Sequence, residues 1–192
     1  MPSQGPLNPT NAANAGAGVV WANLANCFSN DGSSSTVTPN VSVSRYLRTS
    51  QYAFDIPSTA TIDGVLAEIN RFSDILDIRD SELKLYVNGA ESGTNKADTS
   101  TSWPLSDDGS YKSYGGASDT WGLALNPADI NNTGVFGVSI KVQDELDAVA
   151  VASIDHIRMT VYYTLPVESQ TSLFNRRDSI MWGSGRGIFR GF

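Results

Sequence analysis

The only histidine, His156, directly follows Asp155, and the only cysteine, Cys27, lies in the run ANCFSN. A histidine beside a carboxylate could serve as a general base, but only with a nucleophile and an orienting group in reach. His156 falls on the polar side of an alternating segment, so the simpler reading is a surface or interface histidine. Cys27 lacks the basic neighbourhood that lowers a thiol pKa, and reads as a small buried hydrophobe. A single cysteine excludes an intramolecular disulfide and a multi-cysteine zinc site, and a single histidine excludes any site needing two imidazoles.

Carboxylates are more plentiful. Asp107, Asp108, Asp144, Glu145 and Asp147 could supply the acid pair of a glycan hydrolase. They cluster in apparent turns, which points to solvation. Asp107-Asp108-Gly109 and Asn30-Asp31-Gly32 invite a calcium reading, yet neither has the EF-hand spacing with its twelfth-position glutamate. Asn40-Val41-Ser42 and Asn131-Asn132-Thr133 match the glycosylation pattern, which carries meaning only on a secretory route. Tyr111, Tyr114 and Trp121 could form a platform for sugar rings, and the competing reading is loop-on-loop packing. The residues thus predict no catalytic, cofactor-binding or metal-binding set.

The sharpest feature is the C-terminal run RRDSIMWGSGRGIFRGF. Ile180, Met181, Trp182, Ile188, Phe189 and Phe192 would each cost roughly 1.5–3 kcal/mol to leave in water. Arg176, Arg177, Arg186 and Arg190 stand among them, and arginine and aromatic side chains are enriched at protein interfaces. Glycines 183, 185, 187 and 191 would let the backbone follow a foreign groove. These ten side chains are the expected protein interface. They could fold back onto their own body or dock on another chain; docking is the expected use, and in a homo-oligomer the partner would be the acidic body of the next subunit.

Elements that could position such residues follow from composition and period. The chain has 192 residues, a net charge of −7 and only 17% charged side chains. That balance argues against a protein built to grip nucleic acid, which needs a basic face. No apolar run reaches the roughly 18 residues of a membrane-spanning helix, and the first residues lack the basic and apolar regions of a secretory signal. Residues 1–17 carry no charge and are rich in Asn, Ala, Gly and Pro, which predicts a flexible arm.

From about residue 18 to 165 the apolar period is two, the mark of half-buried strands. Ile157, Met159, Val161 and Tyr163 share one face, opposite His156, Arg158, Thr160 and Tyr162. Phe136, Val138, Ile140 and Val142 alternate in the same way, as do Leu83, Leu85 and Val87, and more weakly Val65, Ala67 and Ile69. Ser34–Val37, Tyr52–Ile56 and Ala148–Ala152 are further expected strands. Turns are signalled at Asn30-Asp31-Gly32, Asn88-Gly89, Asp108-Gly109 and Gly115-Gly116. One short helix is expected, capped by Asn126 with Pro127 first. In the long polar stretch 91–118 and just beyond it, Trp103 and Trp121 read as plugs for the open end. Many short strands and almost no amphipathic helix predict an all-β, antiparallel sandwich.

Five segments, FDIPSTATIDGVLAEINR, LKLYVNGAESGTNKAD, SWPLS, YGGASDTWGLALNPADINNTGVFGVSIKV and ASIDHIRMTVYYT, occur in that order. Together they resemble the jelly-roll-like β-sandwich modules of tailed-bacteriophage virion proteins, over roughly residues 18–165. The resemblance implies a non-enzymatic virion part: a head decoration or cement protein, a tail fibre segment, or a neck or tail adaptor. It implies other virion proteins (capsid, neck or tail subunits) as partners, a homo-oligomer and no membrane. It carries over no ligand residues, because its motifs mark turns and core positions. The expected organisation is an N-terminal arm over 1–17, a sandwich over 18–165 and an anchoring tail over 166–192.

Overall fold

The computed structural model describes residues 1–144 and 149–167. In chain order the strands are β1 (Ser3–Leu7), β2 (Asn11–Ala15), β3 (Ser35–Val37), β4 (Tyr46–Ser50) and β5 (Thr61–Ser73). They continue with β6 (Ile78–Val87), β7 (Ala90–Ser92), β8 (Lys112–Gly115), β9 (Phe136–Asp144) and β10 (Ala152–Thr164). A 3-10 turn spans Leu24–Cys27 and a short helix, α1, spans Pro127–Asn131. One sheet runs β1-β10-β5-β8, with β3 also on β10; the other runs β2-β4-β9-β6-β7. All these pairs are antiparallel, and the chain is an all-β sandwich.

The period-two runs account for the two inner faces. Val65, Ala67, Ile69, Ile157, Met159 and Val161 come from one sheet, and Leu47, Leu83, Leu85, Val138, Ile140 and Val142 from the other; all are fully buried. Trp103 and Trp121 are also fully buried. The Trp103 amide bonds to Ile78 at the start of β6, and the Trp121 indole bonds to Val65 early in β5. Since β5 and β6 begin at opposite ends of the sandwich, each ring closes one end.

Three irregularities shift the phase of these strands. The β5–β10 register slips opposite Tyr162/Tyr163, next to Gly64, and again between Ile154 and His156, leaving Asp155 as the extra residue. The β6–β9 register slips between Asp80 and Glu82. A bulge moves every side chain beyond it to the other face. Asp80 therefore joins Ile78 in facing the core, although the alternation of Leu83, Leu85 and Val87 would put it outside.

The first 17 residues do not form the expected flexible arm. β1 pairs with β10 and β2 with β4, so this segment contributes an edge strand to each sheet. Polar composition does not prevent this, because ladder bonds come from the backbone and the asparagines find partners. The Asn14 side chain donates to the Trp21 carbonyl and accepts from its amide. Pro9 and Ala15 are buried, and Leu7 and Ala12 pack against the core. The open edge of β10 is thus covered by three separate pieces: β3 at Ala152–Ile154, Phe28 opposite His156, and β1 at Met159–Tyr162.

Tyr52–Ile56 is not a strand. Tyr52, Phe54 and Ile56 are buried and alternate with exposed neighbours, but Gln51 and Ala53 have φ of 63° and 55°, which bends the chain off any ladder. Residues 149–151 precede β10 without joining it, and 145–148 lie outside the described residues. The helix cap forms as expected: Asn126 accepts from the amides of Ala128 and Asp129, and Asp129 accepts from the Asn126 amide.

Candidate functional site

The polar residues that might do chemistry gather around β5, β8 and β10 in three groups. The first is buried between the sheets. Arg71, in the inward phase of β5, places Nη1 2.9 Å from Asp80 Oδ1, which also accepts from the Trp103 indole at 2.8 Å. Asp80 Oδ2 accepts from the Tyr114 hydroxyl at 2.7 Å and the Asp98 amide at 2.9 Å. The Arg71 guanidinium lies over the Trp103 ring, 4.9 Å from its centre. Burial and the Asp80 charge drive the Tyr114 phenol well above its ordinary value, so it stays protonated and donates.

Tyr114 is 4% exposed and Trp121 is 0% exposed. Neither is exposed enough to serve as a sugar platform, and for both the competing reading of packing holds. Tyr114 lies opposite Ala67 on the core face of its strand, and Trp121 is spent closing the sandwich.

The second group surrounds His156. The histidine is on the outer face of β10, as read, and is covered there by other segments of the chain. Its Nε2 faces Asn8 Oδ1 at 3.1 Å, an acceptor, so Nε2 carries the proton and Nδ1 accepts from the Tyr111 hydroxyl at 2.7 Å. Asn30 donates to the same hydroxyl. Burial first, then the charge of Arg158, holds the imidazole below its ordinary value and keeps it neutral. Arg158 forms a two-pronged ion pair with Glu68 and lies 3.9 Å from the centre of the Tyr111 ring. Both nitrogens of His156 are engaged by groups that are not nucleophiles, and the ring works as a cross-link between the N-terminal segment and the 104–111 loop.

Asp155, the bulged residue beside it, is fully buried, and neither carboxylate oxygen has a hydrogen-bond partner. Desolvation, reinforced by Asp107, raises its pKa; the nearby amides of Asp31 and Gly32 moderate the shift without reaching hydrogen-bond geometry. A carboxyl raised in this way favours the fold when protonated, and that contribution is lost as the pH rises through the folded value. Asp155→Asn should therefore stabilise the protein by about 1 kcal/mol near neutral pH. The gain should shrink towards zero below about pH 4. Thermal melts of the two proteins across this range check it; a gain that does not depend on pH would refute a desolvated carboxylate.

The candidate calcium loops are closed on themselves. Asp31 accepts from Ser29 and the Ser33 amide, Asp107 from Asn70 and the Gly109 amide, and Asp108 from the Ser110 amide. Among the described residues no cluster of three or more His, Cys, Asp or Glu side chains has the geometry to hold a metal ion. Asp144 is buried at the end of β9 and accepts from the Val41 amide. Glu145 and Asp147 lie outside the described residues. Cys27 is fully buried and donates to the Leu24 carbonyl; burial pushes its thiol up to about 12, so it is a core residue as read.

The third group lines a cleft of about 230 Å³ between the 101–104 loop, the start of β8 and Arg71. Of the three aromatics named for sugar contact, Tyr111 alone borders it. Sequence reading missed Arg71, Lys112 and the hydroxyls of Thr101, Ser102 and Ser110, because only the fold brings them together. The ten tail residues from Arg176 to Phe192 lie outside the described residues.

No protein-family model, curated protein or solved structure matches the chain.

Proposed function

We propose that this chain is a non-enzymatic structural subunit of a tailed-bacteriophage virion, a head decoration or cement protein that docks on its neighbours through its C-terminal tail. A tail fibre or neck adaptor would use the same docking. With β2 and β3 set aside, eight strands remain, ordered β1-β10-β5-β8 and β4-β9-β6-β7. Along the chain they fall in the first sheet, then second, first, second, second, first, second, first. This is the interleaving of two Greek keys, and it supports a jelly-roll assignment, an architecture common to viral capsid and lectin domains. Fold alone does not fix function.

The observation that carries the assembly reading is a polarity between the two ends. Val41, Val43, Leu76, Leu105 and Val149 are all exposed. All belong to one end of the sandwich: Val43 bridges to Gln143, Ser102 bonds to Leu76, Ser73 to Pro104, and Asp74 to Val151. Exposed apolar groups gathered in this way mark interaction surfaces. The chain heads into its tail at the other end, beyond Thr164, where Met1, Leu165 and Val167 are exposed. The 13 residues of β10 separate the two ends by roughly 40 Å. A tail rich in arginine and large apolar residues, leaving opposite an apolar rim, suits head-to-tail contact between copies, which closes into rings or extends through a lattice.

Truncation after Pro166 tests this. The shortened chain should stay folded by circular dichroism while losing self-association and particle binding in sedimentation and capsid co-pelleting. Unchanged assembly of the truncated chain would overturn the proposal.

A further inference from the structure

We infer that the cleft beside Tyr111 is a binding site for one neutral pyranose residue, in the manner of a terminal sugar on a glycan. This goes beyond the assembly reading and does not depend on it. The cleft, at about 230 Å³, is smaller than the roughly 300–1,000 Å³ of drug-sized sites, so it suits a single ring. Its walls combine the Tyr111 ring and Pro104 with the hydroxyls of Thr101, Ser102 and Ser110. A pyranose has this same division, with an apolar C–H face and a rim of groups that both donate and accept. Arg158 fixes the orientation of Tyr111 by stacking on it, and His156 and Asn30 hold its hydroxyl, so the ring is positioned before any ligand arrives. Such preorganisation lowers the entropy cost of binding.

The Arg71 side chain, 4% exposed, also lines the cleft and is held in place by Asp80 at 2.9 Å, so this wall too is fixed before a ligand arrives.

Charge selects a neutral ligand over an anion. The two cations at the cleft are already neutralised, Arg71 by Asp80 at 2.9 Å and Lys112 by Asp98 at 2.7 Å. Asp107 and Asp108 stand in the adjoining loop, within a chain of net charge −7. A phosphate or sulfate would meet no uncompensated positive charge.

Isothermal titration of the full chain with glucose, galactose, mannose and N-acetylglucosamine tests the site. At least one sugar should give saturable binding, with a Kd of roughly millimolar order. Tyr111→Ala should weaken it by about tenfold or more, and Tyr111→Phe should leave it within about threefold. Both variants lose the same hydroxyl bond to His156, so their difference reports the ring, and thermal melts of the two variants separate loss of the sugar contact from loss of the packing on Arg158. Lys112→Gln should also bind within about threefold, which an anion site would not allow. The inference fails if none of the four sugars saturates, if Tyr111→Ala binds as the parent does, or if inorganic phosphate or sulfate saturates in place of the sugars.

Discussion

Replacing Asp80 with alanine should lower the unfolding midpoint by roughly 10 °C. The carboxylate is completely buried and accepts four hydrogen bonds, from Arg71, Trp103, Tyr114 and the Asp98 amide. Removing it strands a buried guanidinium, an indole N–H, a phenol and an amide together. Breaking a buried pair from one side costs about 3–5 kcal/mol, and in a domain of this size each kcal/mol shifts the midpoint by roughly 2–4 °C. Asp80→Asn should lose less, since one amide oxygen can still accept. The paired change Arg71→Met with Asp80→Leu should recover only the part of the loss that belongs to the stranded guanidinium, because the Trp103 indole, the Tyr114 hydroxyl and the Asp98 amide still lack their acceptor. An Asp80→Ala protein melting within about 2 °C of the parent would mean that water reaches and solvates the site.

Gly64→Ala should cost about 2–3 kcal/mol, and Gly116→Ala almost nothing. An added Cβ on Gly64 would stand 2.2 Å from the Gly116 carbonyl oxygen and 2.6 Å from the Ala117 carbonyl carbon. Both are backbone atoms, so no rotamer change relieves the clash. The turn they belong to is tied to β5 by the bonds from Val65 N–H to Asp119 and from Gly116 N–H to Val65, and the Trp121 indole bonds to the same Val65 carbonyl. Displacing the turn therefore also unseats the plug at that end. A Cβ on Gly116 would meet nothing within 4 Å. Parallel denaturant titrations of the two variants decide the matter; equal stabilities would show that the turn slides freely.

Gly64 also marks how far the linear reading reached. The segments that contain IPSTATIDG and YGGASDTWG, 50 residues apart, meet at this contact, and the register of β5 against β10 slips beside Gly64. Alternation located β5, β6, β9 and β10 and most of their inward side chains, because a period of two is a local property of the chain. It failed wherever a phase change depends on the partner strand. Asp80 faces the core only because β6 slips against β9, and nothing in ILDIRDSELKLYV marks that slip. The N-terminal strands were hidden for a different reason: backbone pairing holds them, and apolar periodicity cannot report it. Of the proposed sugar contacts, Tyr111 was legible as a loop aromatic, whereas the hydroxyls of Thr101 and Ser102 are brought beside it only by the fold.

The three-part cover over β10 bears on the order of events during synthesis. β1, β3 and β5 all wait for a strand made at least 79 residues after the last of them ends. Until it leaves the ribosome, the first sheet has no centre and its strands present unpaired edges to solvent. Vectorial folding is therefore closed to this half of the molecule. With so large a share of distant pairings, the finished chain should close in one late, concerted step, on the millisecond-to-second scale of high-contact-order β proteins.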